Sequence, residues 1–169
     1  VNNMANARKV AVLALQKVFV DGAYSNIAVN SFLKEADLTP ADKGLATALI
    51  YGVLDRKITL DYVLSAFVKT PLKKLKPLTL AVLRTAVYQI KYLSKIPHSA
   101  AVDEAVKLIK KSNEGFNAAF VNAVLRNLIR TDIPLPNGNS IYDVSVSYSC
   151  PQWLVSTLLR DYGADFTKG

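Results

Sequence analysis

The chain has 169 residues, 51% of them apolar, with 21 Lys+Arg against 13 Asp+Glu and a single cysteine. That length holds one packed domain, or one domain and the start of another. An internal disulfide is excluded, and no apolar run reaches the roughly 20 residues that a bilayer crossing needs.

The first stretch, VNNMANARK, lacks the pattern of a secretory signal, so the expected setting is cytoplasmic, with no membrane partner and a reduced thiol at Cys150. The net charge of +8 is uneven. Residues 1–130 carry 19 Lys+Arg against 9 Asp+Glu, whereas residues 131–169 carry 2 against 4. Between Asp61 and Asp103 there is no acidic residue but seven basic ones: Lys69, Lys73, Lys74, Lys76, Arg84, Lys91 and Lys95. Unpaired cations gathered on one surface favour a polyanion such as RNA, although a run of lysines also serves simply to solvate loops and helix ends.

In chain order the periodicity is helical almost throughout. Val10, Leu13, Ala14 and Val18 mark a first helix over about 5–20, closed near Asp21 and Gly22. Ser25 caps a second that runs to Ala36. Thr39, Pro40 and Asp42 stand in the order cap, first turn, third position and open a third. Thr59 starts a shorter helix that ends near Val68, and TPLKKLKP then makes a loop or broken turn. Helices follow at about 77–93, 99–112 and 116–130, punctuated by Pro97 and Gly115. From Thr131 to Ser147 two prolines and turn residues predict an extended linker. A last helix at about 151–162 carries Trp153, Leu154, Leu158 and Leu159, an apolar face that needs something to pack on.

Two constellations carry candidate function. On the 116–130 helix, Phe120, Val121, Val124, Leu125 and Leu128 share one face. Asn122, Arg126 and Arg130 fall among the small residues Ala118, Ala119 and Ala123 on the other. That pattern suits a central helix in which Asn122 and Arg126 tie to neighbouring loops or helix ends, since an unsatisfied buried polar group costs about 1–3 kcal/mol. Direct contact with RNA is the other reading. On the 77–93 helix, Arg84, Tyr88 and Lys91 interleave charge and ring on one face, an arrangement that grips phosphates and stacks bases, or else a boundary stripe. No glycine-rich phosphate loop is present, His98 has no companion ligand for a metal, and Cys150 has no neighbouring base. No catalytic, cofactor-binding or metal-binding residue is assigned.

The segments LATALIYGVLDRKITLDYVL (45–64), LRTAVYQIKYLSKIPHSAAVDEAVKLIKK (83–111) and FVNAVLRNLIR (120–130), in that order and spacing, resemble the NusB antitermination fold. They resemble still more its version at the N-terminus of the RsmB (Sun) family of ribosomal RNA cytosine-C5 methyltransferases. SVSYSCPQWLV (145–155) is similar to the stretch that leads those enzymes into their next domain, with Cys150 where the family pattern has His. The resemblance implies an all-α NusB-like fold of two small helical subdomains and about seven helices. Its implied layout is an RNA-binding domain at 1–130, a linker at 131–147 and the start of a following domain at 148–169.

The function implied is to hold small-subunit ribosomal RNA while a separate C-terminal domain, using S-adenosylmethionine, methylates a cytosine. This chain itself is then expected to be inactive, with no cofactor of its own. The partners implied are small-subunit ribosomal RNA and the chain's own C-terminal methyltransferase domain. Arg8 and Lys9 match the basic N-terminal segment through which antitermination factors meet RNA. The candidate RNA contacts are therefore Arg8, Lys9, Lys73, Lys74, Lys76, Arg84, Tyr88, Lys91 and Arg130. Two other readings are a freestanding antitermination factor and a protein-interaction module that docks on the catalytic domain.

Overall fold

A computed structural model describes residues 3–21 and 26–163. Among these described residues eight α-helices follow one another: α1 (Asn3–Asp21), α2 (Asn26–Glu35), α3 (Pro40–Ser65), α4 (Pro77–Tyr92), α5 (His98–Lys110), α6 (Ala118–Arg130), α7 (Ile141–Tyr148) and α8 (Gln152–Tyr162). Short 3-10 turns stand at 72–74 and 115–117, and the described residues contain no strand. The all-α expectation is met. The proposed cap at Ser25 lies outside the described residues.

The α3 start follows its sequence signal. The Thr39 Oγ1 accepts from the Asp42 backbone N–H at 3.3 Å, and Pro40 occupies the first turn, where a missing N–H costs nothing. No new helix begins at Thr59, however. α3 runs unbroken to Ser65, because Leu60, Val63 and Leu64 continue the buried stripe of Leu49, Ile50 and Val53.

α4 is the centre of the molecule. Of its side chains, Leu78, Ala81, Val82, Leu83, Ala86 and Val87 are buried, and it packs against α1 and α3 on one side and α5 and α6 on the other. The halves α1–α3 and α4–α6 thus share one continuous core, in which each fully buried Leu or Val contributes about 1.5–3 kcal/mol.

The lead-in to α4 is built from a distance. Lys76 offers no side-chain cap. Instead the buried Glu114, on the turn before α6, accepts from the backbone N–H groups of Leu78 (3.2 Å) and Thr79 (2.9 Å) and from the Thr79 hydroxyl (2.7 Å). Asn117 donates to that hydroxyl at 2.9 Å. A carboxylate at the positive end of a helix satisfies donors that otherwise have no partner and is favoured by the helix dipole.

The segment expected to be an extended linker is helical in its second half. Ser140 caps α7 by accepting from the Asp143 N–H at 3.0 Å, and Val144, Ser145 and Val146 are buried against the rest of the chain. The alternation of Val and Ser reads as strand in isolation, but the cap at Ser140 and packing on α3 decide for helix. The buried Thr59 hydroxyl donates to the Val146 carbonyl at 2.6 Å, pinning α7 to α3. Ser149 then closes α7 in the left-handed conformation, at φ 52°.

Candidate nucleic-acid interface

The cations picked out in the sequence divide into an inner and an outer set. Arg84 is buried. Its Nε and Nη2 donate to the two carboxylate oxygens of Asp61 at 2.8 and 2.9 Å, and its Cζ lies 4.4 Å from the centre of the Phe19 ring. Its guanidinium joins α4, α3 and α1 and is withdrawn from any phosphate. The sequence reading missed this because Asp61 lies 23 residues away on another helix.

Arg8 is likewise buried, donating through Nε to Gln89 Oε1 at 2.8 Å, while its Nη2 has no protein partner. Burial lowers its pKa, and the charge of Glu104 raises it in part. Arg8 therefore faces inward to α4, and the basic N-terminal pair is split, with only Lys9 exposed. The Tyr88 ring is half-buried and pressed against Gly52 of α3, so it serves helix packing.

The outer set is larger. Lys9, Lys73, Lys74, Lys76 and Arg130 are exposed, and Lys91 is half-buried. The three lysines of the 72–76 turn occupy the connection between α3 and α4, while Lys9 is on α1 and Arg130 ends α6.

α6 corrects the expectation of a central helix. Ala118, Val121, Val124, Leu125 and Leu128 are buried, but Ala119, Asn122, Ala123, Arg126, Asn127 and Arg130 are exposed. Of the small residues, Ala119 and Ala123 border solvent, not another helix, and only Ala118 is covered. Asn122 and Arg126 do form a tie, although at the surface: Arg126 Nε donates to Asn122 Oδ1 at 3.3 Å, and its Nη2 to Asp103 of α5 at 3.2 Å. Arg130 Nη2 donates to Asn127 Oδ1 at 2.7 Å. These side chains border an open groove of about 490 Å³. The amides of Asn122 and Asn127 hold two exposed guanidinium groups beside this groove, and exposed guanidinium groups suit phosphate oxygens.

His98 is the first residue of α5 and is exposed. Cys150 is half-buried, and burial pushes its thiol above its ordinary pKa, which suppresses the reactive thiolate. Among the described residues no group of three His, Cys, Asp or Glu side chains could hold a metal ion. No helix of the described residues is long and apolar enough to cross a membrane.

Comparison with known proteins agrees with this architecture. Residues 5–130 match the model of the NusB family. A probable ribosomal RNA small subunit methyltransferase B of Bacillus subtilis is 38% identical over 160 residues, which is 94% of this chain but 36% of that protein. The chain thus spans little more than a third of that relative's length. A transcription antitermination protein NusB of Idiomarina loihiensis is 34% identical over 134 residues, 77% of this chain and 96% of its own length. Among solved structures, NusB and NusE in complex with double-stranded RNA gives a TM-score of 0.71 at 18% identity, over 77% of this chain and 98% of the matched one. At that identity the likeness speaks for the fold alone. On its helices, its core and the match over residues 5–130, the chain belongs to the NusB family.

Proposed function

We propose that this chain binds small-subunit ribosomal RNA and positions it for a methyltransferase domain that uses S-adenosylmethionine to modify a cytosine at C5. The observation that carries the reading is the extent of similarity. Methyltransferase B matches 94% of the chain, whereas the antitermination protein matches 77%. Antitermination factors of this fold have been solved with RNA, which supports a nucleic-acid partner. The RNA surface proposed consists of the exposed Lys9, Lys73, Lys74, Lys76 and Arg130 with the half-buried Lys91, joined by the open face of α6. Arg8, Arg84 and Tyr88 act behind it as packing. Such a surface fixes the register of the backbone and reads little sequence.

The same reading places the exposed apolar side of α8 against the methyltransferase domain, where residues 131–169 have fewer cations than anions and so suit a protein partner better than RNA. Catalysis and methyl-donor binding belong to that other domain, and the setting is cytoplasmic. The test is fluorescence anisotropy of the chain with a hairpin of small-subunit ribosomal RNA across a salt series. A log–log slope of several units is expected, at about 0.7–0.9 per phosphate contact. Reversing the charge of Lys73, Lys74 and Lys76 together should weaken binding several-fold and flatten the slope. A flat salt response in the unaltered chain would overturn the reading.

A further inference from the structure

Gly52 of α3 lies beneath the ring of Tyr88 of α4. A Cβ at Gly52 would fall 2.2 Å from Tyr88 Cζ, so glycine is what lets this ring lie against the α3 backbone. Tyr92 follows one turn later on α4, its ring centre 5.4 Å from that of Tyr88 and tilted by 34°. Arg56, one turn beyond Gly52 on α3, sets its guanidinium carbon 5.1 Å from the centre of the Tyr92 ring. The seam between α3 and α4 therefore carries two rings backed by a bare stretch of helix and topped by a cation.

Arg56 differs from Arg84 and Arg126 of the neighbouring helices. Arg84 is closed off by Asp61, and Arg126 is paired with Asp103. Arg56 is exposed, and among the described residues no carboxylate pairs with it. Its contact with Tyr92 holds one side of the group, which reduces the rotamer freedom that an arginine loses on binding. The other side is open to solvent. A guanidinium plane accepts an unpaired base much as an aromatic ring does, and its positive charge favours an RNA strand nearby.

We propose that Arg56, supported by Tyr92, is a stacking platform for an unpaired base of RNA. The inference rests on the RNA-binding reading above and adds to it a ligand class: single-stranded or looped RNA, whose bases are free to leave their neighbours. Bases within a continuous duplex are not available to this platform. Phosphate contacts from the lysines would bring the strand in, and Arg56 would hold one of its bases.

Anisotropy of the whole 169-residue chain, with a single-stranded oligonucleotide and with a blunt duplex of the same sequence at fixed salt, tests the platform. Arg56→Lys keeps the charge but loses the plane. It is expected to weaken single-strand binding about fivefold or more, within the range a base stack contributes, and to leave duplex binding within about twofold. Tyr92→Leu should do the same, while Tyr92→Phe should bind as the unaltered chain does, with circular dichroism confirming that each variant is folded. Wild-type affinity in Arg56→Lys together with weakening in Arg56→Ala would overturn the platform in favour of a plain phosphate contact. So would an equal loss for both RNA forms, or no change in any variant. Failure of the unaltered chain to bind either RNA would instead remove the RNA-binding reading on which the platform rests.

Discussion

Single residues show how cations of the same type are put to opposite uses. The buried Arg84 donates two hydrogen bonds to the part-buried Asp61 carboxylate, and its value lies in the pairing. Removing one partner of a buried pair leaves the other charge stranded, at a cost of about 3 kcal/mol or more. Asp61→Ala is therefore expected to lower stability by about that amount in urea unfolding. The double variant Asp61→Ala, Arg84→Met should recover much of the loss, because it leaves no unpaired charge. Equal stability in Asp61→Ala and the parent chain would show that the pair contributes nothing. Arg8 makes the related point for a single donor: its Nε is satisfied by Gln89 while its Nη2 is left without a protein partner.

At the level of elements, the start of α4 depends on the turn before α6. Glu114 accepts three hydrogen bonds there. Glu114→Ala should leave buried donors unpaired and cost about 1–3 kcal/mol, measured as a fall in Tm, whereas removing the exposed ammonium by Lys76→Ala should leave Tm nearly unchanged. A similar small change for both would mean that water replaces the carboxylate without loss. This connection explains which parts of the fold were legible in the sequence. Thr39, Pro40 and Asp42 announced α3 because all three act within one turn of each other. Glu114 gave no signal, because its partners are 35 and 36 residues earlier in the chain. The same holds for the surface. Lys73, Lys74 and Lys76 were legible as an outward cluster from local charge alone. Arg8 and Arg84 read equally well as outward cations until Gln89 and Asp61 came into place around them. α7 was misread as a linker because its stabilising contacts lie on α3, and α6 as a central helix because nothing in its own sequence says which of its sides another helix covers.

At the scale of the whole molecule, apolar exposure is concentrated toward the C-terminal end. Trp153 is 70% exposed, Tyr162 61%, Tyr142 52% and Tyr148 50%, whereas within α1–α6 and its turns only Val20 and Phe116 are large apolar side chains exposed to that degree among the described residues. Trp153 is the sole tryptophan and so reports on that region alone. In the 169-residue chain its emission should be that of a solvated indole, readily quenched by acrylamide. Fusion to the proposed methyltransferase domain should shift the emission to the blue and reduce quenching, and an unchanged spectrum would separate α8 from such an interface. The hydrogen bond from Thr59 to Val146 bears on where this molecule can be divided. The NusB family match ends at residue 130, but the fully buried Thr59 hydroxyl belongs to α3 and finds its acceptor in α7. A fragment cut at the similarity boundary would bare the Thr59 site and part of the apolar side of α3. The smallest piece fit for expression is therefore fixed by what α3 must cover and extends at least through Val146, while the family match alone would place the cut some 16 residues too early.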